Sequence, residues 1–382
     1  MIKLSGKVQR LNSVQNEFRL LTITTDSNMV GVDATGFALI TESLQIPAGY
    51  GAIFRFMKPE LISPNPEFLL PQDFKYLSSG DIVRVGQDAD SIRVLFRRAS
   101  NHNAILLTEQ CNHYCLMCSQ PPKDVDDSWL LTEAHELIAT LPKDLPELGF
   151  TGGEPTLYGD AFIDLMKLTR DRLPQTAVHI LSNGRAFKDI EFARKYASIA
   201  HHDMMVGIPI YSDDPVRHDY VVQARGAFNE TIAGILNLKA LHQRVEIRVV
   251  LHKQTVGRLV HLAEFIARNL LFVDHVALMG LEITGFTRAN LNDLWIDQAE
   301  YKDELSQAVK ILEASGVNVS IYNHQLCLVN ADVGRAYRRS ISDWKNEFVE
   351  ECVKCVKQAE CGGLFSSAKQ YKFSPNIKAF AN

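Results

Sequence analysis

Three cysteines, Cys111, Cys115 and Cys118, fall within "CNHYCLMC", spaced C-x3-C-x2-C, directly after the apolar run "NAILL". Thiolates are soft ligands that suit zinc, copper(I) and iron–sulfur clusters. A structural zinc takes four ligands, which three thiols plus His113 could supply. A 4Fe–4S cluster on three thiols leaves one iron without a protein ligand, open to a small molecule and able to pass an electron. Three further segments carry groups that could serve such a site. "FTGGEPTLY" offers Gly152, Gly153 and the carboxylate of Glu154; "LSNG" offers Ser182 and Asn183; "EIRVVLHK" offers Arg248. Taken singly, the first reads as a turn and the second as a strand end, and Arg248, alternating with apolar neighbours, reads as an ion-pair partner.

The remaining four cysteines, Cys327, Cys352, Cys355 and Cys361, form C-x24-C-x2-C-x5-C near the end of the chain. Four thiolates fit either zinc or a fully ligated cluster. Seven cysteines thus divide into three and four with none left over.

The elements that must hold these groups follow from the hydrophobic pattern. Residues 1–100 are short runs rich in β-branched and aromatic residues, such as "EFRLLTIT", "VGVDATGFALIT", "GAIFRFM", "GDIVRVG" and "SIRVLFRR", punctuated by Pro, Gly, Asn and Asp. That pattern predicts a small antiparallel β domain, a sandwich or barrel, with a docking or structural role. An exposed edge of it would offer a place for a peptide to add a strand. Residues 101–315 alternate strand and helix: "NAILLTEQ" with a helix over 132–141, "ELGFTGG" with 160–172, "TAVHILSNG" with 187–199, "MMVGIPIY" with 227–242, "VEIRVVLHK" with 256–270 and "HVALMGLEI" with 299–314. Six β-then-α units predict an α/β fold with a parallel sheet, short of the eight units of a closed barrel, so a partial TIM-like (βα)6 barrel. Residues 316–382 read as a cysteine-rich extension, with a short strand "NVSIY" and then loops and helix. Ligands in such folds gather at the carboxyl ends of strands, where the three-cysteine loop emerges.

C-x3-C-x2-C after a first strand, followed in order by GGE, SNG and a fifth-strand arginine, resembles the radical S-adenosylmethionine (SAM) superfamily. The resemblance covers about half of the chain. It implies a 4Fe–4S cluster on Cys111, Cys115 and Cys118 whose open iron binds SAM through its amino and carboxylate groups. One electron then yields a 5′-deoxyadenosyl radical that takes a hydrogen atom from substrate. It further implies Gly152, Gly153 and Glu154 at the methionyl amino group, Ser182 and Asn183 at the ribose, and Arg248 at the methionyl carboxylate. Met117 stands where the family has an aromatic residue before the third cysteine, and a methionine can cover an adenine face. For the tail, the resemblance implies a second 4Fe–4S cluster, with zinc as the alternative.

The stretch "IPIYSDDPVRHDYVVQARGAFNETIAG" is similar to the peptide-maturing branch of that superfamily. His218 beside Asp219 is either an acid–base pair or a loop brace and helix cap. The layout, with "YNHQLC" and the final "C-x2-C-x5-CGG", resembles the C-type maturases of the His-Xaa-Ser repeat peptide systems. The resemblance implies a ribosomally made peptide as substrate, a sister radical SAM maturase as partner, and a flavodoxin- or ferredoxin-type reductant. The competing readings are the same chemistry on a small molecule in cofactor or metabolite biosynthesis, and an inactive iron–sulfur scaffold for a partner maturase.

Composition bounds the rest. The chain has 382 residues, is 46% hydrophobic and 22% charged, and carries a formal net charge of −5. That balance, with scattered basic residues, gives no footprint for nucleic acid. No window approaches the roughly 18 apolar residues of a membrane span, and the start lacks the apolar core of a signal peptide. The expected setting is the cytoplasm, where cysteines serve as ligands rather than disulfides.

Overall fold

The computed structural model describes residues 3–14, 20–29, 33–86, 90–339 and 346–381. Two compact units result: Met1–Ala104 with Ala139–Leu141, and Ile105–Ile138 with Pro142–Asn382.

The first unit is the expected β domain. Its strands are β1 (Ser5–Lys7), β2 (Gln9–Arg10), β3 (Leu20–Thr24), β4 (Phe37–Ile40), β5 (Ala52–Arg55), β6 (Glu67–Leu69), β7 (Ile82–Val85) and β8 (Ser91–Phe96). The beginnings of two runs singled out in the sequence, 17–19 and 30–32, lie outside the described residues. Strand order is β1-β8-β7-β3-β4-β5-β6-β2. Two expectations change here. The sheet is mixed, because β3, β4, β5 and β6 pair in parallel. Among the described residues it also shows no free edge for an added strand: β1 and β2 are consecutive pieces of one run, the first paired with β8 and the second with β6. The two rims therefore meet in residues 5–10, which is how a barrel removes its edges.

Alternate residues of these strands fill the interior, among them Leu21, Ile23, Phe54, Phe68, Val83 and Ile92, joined by Phe74 from the connection between β6 and β7. Within the unit, Arg55 Nε donates to Glu67 Oε1, with both side chains at most 1% exposed. Arg55 also donates to the Thr41 and Ser43 carbonyls at 3.1 and 2.9 Å, and Glu67 Oε2 accepts the Ser63 N–H at 2.7 Å. Removing one partner of a satisfied buried pair strands the other charge, at a cost of about 3–5 kcal/mol. Arg55→Met should lower the unfolding free energy by that amount in denaturant melts, with Arg55→Met/Glu67→Leu recovering most of it.

The second unit continues with β9 (Asn103–Leu106), α1 (Trp129–Thr140), β10 (Glu147–Thr151), α2 (Asp160–Arg172), β11 (Ala177–Leu181), α3 (Ile190–Ala197), β12 (Met204–Pro209), α4 (Pro215–Val222), α5 (Ala227–Ala240), β13 (Arg244–Leu251), α6 (Leu259–Asn269), β14 (His275–Gly280), α7 (Phe286–Ala289), α8 (Leu291–Leu294), α9 (Lys302–Ala314) and β15 (Val319–Tyr322). The sheet order follows the chain, β9 to β15, and the recorded pairings from β10 to β15 are all parallel. The six expected β-then-α units are present, in the partial TIM-like arrangement. A seventh strand, β15, comes from the segment assigned by sequence to the tail. The first helix begins at Trp129, upstream of the Thr132 start that its capping residues suggested.

Strand alternation sorts the residues. On β13, Val245, Ile247, Val249 and Leu251 are at most 1% exposed and form the apolar outer layer, while Glu246, Arg248 and Val250 take the opposite face. The same split puts Val178 and Ile180 outward on β11 and leaves His179 and Leu181 inward. The inward face at the carboxyl ends is therefore free to be polar. Among the described residues no helix is long and apolar enough to cross a membrane.

Candidate active site

The three-cysteine loop leaves β9 and is fixed at its root by Asp127. The Asp127 carboxylate accepts the Thr108 hydroxyl at 3.0 Å, the Glu109 N–H at 2.5 Å and the Tyr158 hydroxyl at 3.1 Å. Farther out, the Tyr114 and Leu116 N–H groups donate to the Val222 and Val221 carbonyls at the end of α4. The other side is held by α7 and its flank: Phe286 N–H donates to the Cys118 carbonyl at 2.9 Å, Thr287 Oγ1 to the Met117 carbonyl at 3.2 Å, and Asn290 Nδ2 to the Leu116 carbonyl at 2.9 Å. Gly285 has φ +50, and a Cβ there would stand 2.2 Å from the Cys118 carbonyl oxygen. Only glycine fits that position. Asp127, Gly285, Thr287 and Asn290 escaped the sequence reading, because nothing local marks them as loop supports.

The glycines of GGE have a different neighbour from the ligand expected for them. A Cβ on Gly152 would meet the Thr108 carbonyl oxygen at 2.5 Å, and one on Gly153 the Gln110 carbonyl oxygen at 1.9 Å. The backbone here runs against the cysteine loop itself, with Gly153 N–H on Thr108 O at 2.7 Å and Glu154 N–H on Gln110 O at 2.8 Å. Both glycines nevertheless line the cleft.

Glu154 is 1% exposed and works as a hub. Its Oε1 accepts the Thr156 N–H at 3.1 Å, the Thr156 hydroxyl at 2.5 Å and the Ser182 hydroxyl at 2.8 Å; its Oε2 accepts the Asn183 N–H at 2.6 Å. Burial pushes its pKa up against the pull of these bonds. Asn183 Nδ2 in turn donates to Asn112 Oδ1 in the cysteine loop at 2.6 Å. Glu154, Ser182 and Asn183 thus tie the ends of β10 and β11 to the loop between the first two thiols.

Arg248 donates to Glu246 Oε1 at 3.0 Å and to Met279 Sδ at 3.2 Å. Glu246, 5% exposed, also accepts from His275 Nδ1 at 2.7 Å and has His179 Nε2 at 3.4 Å. Burial opposes its ionisation, but the two histidines and the Arg248 charge prevail and hold its carboxyl well below the usual range. Gly207 leaves the room: a Cβ there would press on Arg248 Cδ and His179 Nε2, each at 3.0 Å. This inner polar layer depends on the register of β11 to β14, which a single sequence does not display.

These groups line one cleft of about 360 Å³: Cys111, Cys115, Cys118, Met117, Gly152, Gly153, Ser182, Asn183 and Arg248, with Tyr211, Met279, Asn323 and Phe365 added. Glu154 lies behind its wall. Met117 packs in an apolar cluster with Tyr211, Val221 and Leu294.

The donor set fits an iron–sulfur cluster. Burial drives the Cys111 thiol up to about 11, helped by the nearby Glu154 and Cys118 charges and opposed by the His113 N–H. Cys115 and Cys118 are raised by burial as well. Bare thiolates are disfavoured in this position, and a coordinated metal reverses that by deprotonating them outright. Among the described residues no group of three or more His, Cys, Asp or Glu side chains is arranged to hold a metal ion. His113, between two of the thiols, has both ring nitrogens buried without a partner.

In the tail, Cys327, Cys352, Cys355 and Cys361 line one pocket with Leu364, Ile377 and Phe380. The Leu326 and Gly363 N–H groups donate to Cys361 Sγ and the Phe380 N–H to Cys355 Sγ, each at 3.4 Å. Donors aimed at sulfur favour thiolate ligands.

His218 and Asp219 act as a brace. The Asp219 carboxylate accepts the Gly226 N–H at 2.5 Å and the Phe228 N–H at 2.9 Å, capping α5, while His218 Nδ1 accepts the Tyr211 N–H at 3.2 Å. Burial lowers the pKa of His218 to about 4, His324 to about 4 and His252 to about 3. With folded values below the unfolded value near 6.5, the unfolded chain binds more protons in this window. Stability should be complete above pH 6.5 and fall as pH drops toward 4. Each histidine contributes up to about 1.4 kcal/mol per pH unit, to be read from denaturant melts across pH 4–7.

The family model described as Radical SAM superfamily matches residues 105–266. Similar solved structures include Streptococcus suis SuiB bound to S-adenosylmethionine, at 16% identity and TM-score 0.47 over 60% of this chain and 51% of that one. Native anSMEcpe with bound AdoMet is similar at 17% identity and TM-score 0.45, over 57% and 62%. A radical SAM methyltransferase from Sphaerobacter thermophilus is similar at 14% identity and TM-score 0.44, over 68% and 74%. The chain spans about half the length of SuiB. No curated protein matches it.

Proposed function

We propose that this chain, which matches the Radical SAM superfamily model over residues 105–266, cleaves SAM reductively and modifies a ribosomally made peptide. The single observation that carries the reading is the shared cleft: three thiols, the GGE glycines, Ser182, Asn183 and Arg248 converge there from different strands. When bound, a 4Fe–4S cluster with one iron free of thiolate supplies the electron that splits SAM and so the 5′-deoxyadenosyl radical that abstracts hydrogen from substrate.

The chain's own residues do the rest. Cys111, Cys115 and Cys118 hold the cluster. Arg248, kept in place by Glu246 and Met279, presents a cation for the methionyl carboxylate. The carbonyl-rich backbone of Gly152 and Gly153 meets the amino group, and Glu154 acts from behind by fixing that backbone to the cysteine loop. Ser182 and Asn183 serve the ribose, and Met117 covers the adenine. Apolar walls from Met117, Tyr211 and Met279 limit water at the radical.

A peptide of the His-Xaa-Ser repeat type is the proposed substrate, on the similarity of the stretch from Ile208 to Gly234 to the peptide-maturing branch and of the layout to the C-type maturases. A sister maturase, a flavodoxin- or ferredoxin-type reductant and a cytoplasmic setting belong to the same proposal. The tail thiols take a second 4Fe–4S cluster, supported by the N–H donors on Cys355 and Cys361. To test the reading, anaerobically reconstituted protein is given SAM, a strong reductant and a synthetic repeat peptide. 5′-Deoxyadenosine together with a mass change in the peptide supports it. 5′-Deoxyadenosine with an unaltered peptide favours a small-molecule substrate, and none at all favours the inactive scaffold.

A further inference from the structure

Two short segments lead from the tail thiols back to the cleft. The first runs from Asn323 to Cys327 and the second from Cys361 to Phe365; Asn323 and Phe365 line the cleft, while Cys327 and Cys361 line the thiol pocket. The segments are stapled together along their length. Gln325 Nε2 donates to the Gly363 carbonyl at 3.0 Å, Leu326 N–H to Cys361 Sγ at 3.4 Å, and the Tyr337 hydroxyl bridges them by donating to His324 O at 2.8 Å and accepting the Gly362 N–H at 2.7 Å.

Asn323 has a φ of +58, in the left-handed region that asparagine tolerates better than most residues. Its Oδ1 is buried without a hydrogen-bond partner. Gly280 opposite allows the approach, since a Cβ there would lie 2.2 Å from the Asn323 carbonyl oxygen. A buried acceptor left unmatched costs about 1–3 kcal/mol, and because Asn323 lines the cleft a bound molecule there could supply the missing N–H.

Building on the peptide reading above, we propose that Asn323 and Phe365 form a substrate-recognition wall, with the Asn323 amide oxygen accepting a peptide N–H, and that metal on the tail thiols holds this wall in place. Metal at the four thiols pins the far ends of both segments, and the staples carry that constraint to the near ends.

Hydrogen exchange by mass spectrometry tests the wall without relying on turnover. Metal-loaded protein is compared with Cys361→Ser, which alters a wall segment, and with Cys352→Ser, which removes a ligand lying on neither segment. Both variants should raise exchange over 320–327 and 361–367 by about ten-fold, as expected when a local constraint is lost, while 105–120 keeps its protection and reports an intact barrel. A rise only in Cys361→Ser, or one confined to 352–361, overturns the proposal. Binding of a fluorescent His-Xaa-Ser repeat peptide tests recognition: Asn323→Gly should weaken it about ten-fold, the worth of one buried hydrogen bond, and Asn323→Asp should restore it. Unchanged binding in Asn323→Gly overturns the recognition role. Failure of the unaltered protein to bind this peptide overturns it along with the peptide reading, and the exchange result bears on the wall independently.

Discussion

Gly153→Ala is expected to strip the first metal site from the chain. The new methyl group would stand 1.9 Å from the Gln110 carbonyl oxygen and 3.1 Å from Cys111 Cβ. Neither neighbour can swing away. Gln110 O is held by the Glu154 N–H at 2.8 Å, and the adjoining Gly153 N–H is held by Thr108 O at 2.7 Å. Relief requires the root of the cysteine loop to shift by an ångström or more, which moves Cys111 away from Cys115 and Cys118. Iron per chain should fall by about four atoms after anaerobic reconstitution, leaving the tail's complement. Formation of 5′-deoxyadenosine should drop by at least about 100-fold, the scale of a 1 Å misplacement at a reacting centre. A full iron complement in Gly153→Ala would mean that the loop yields more easily than its hydrogen bonds imply.

Glu154 gives the second large effect. Alanine there leaves four donors, two from Thr156 and one each from Ser182 and Asn183, without their acceptor in a fully buried position. Leaving a buried donor without its acceptor costs about 1–3 kcal/mol. Glutamine is only a partial remedy: its single oxygen replaces one carboxylate oxygen, and its NH2 group then faces a donor. Glu154→Ala should therefore lower both the melting temperature and SAM affinity, with Glu154→Gln intermediate in both. If Glu154 served only as the acceptor for the methionyl amino group, affinity would fall and the melting temperature would hold. Calorimetry and equilibrium dialysis on the same preparations separate the two.

These two predictions also mark how far the sequence could be read. The positions of Gly153 and Glu154 were plain from the GGE triplet, yet their neighbours were not, because the loop they touch lies some forty residues earlier and approaches only through the β9–β10 pairing. Arg248 stood out by alternation on its strand. Glu246, His179 and His275 did not, since three strands must be in register before they meet around one carboxylate. The helices over 160–172 and 227–240 were legible in their periodicity almost to the residue. The closure of the first unit was not, because a barrel and an open sheet share the same alternation and differ only in whether residues 5–10 pair on both sides. The short strand over Val319–Tyr322 was legible at the start of the tail, but its place beside β14 comes from pairing.

The central claim is a cluster gripped by Cys111, Cys115 and Cys118 with one iron left for SAM. Electron paramagnetic resonance of the anaerobically reduced protein, recorded with and without SAM, addresses it directly. The account predicts a reduced-cluster signal that changes shape when SAM is added, and a Cys111→Ser/Cys115→Ser/Cys118→Ser variant that retains only a signal indifferent to SAM. A spectrum of the unaltered protein that ignores SAM altogether would contradict it.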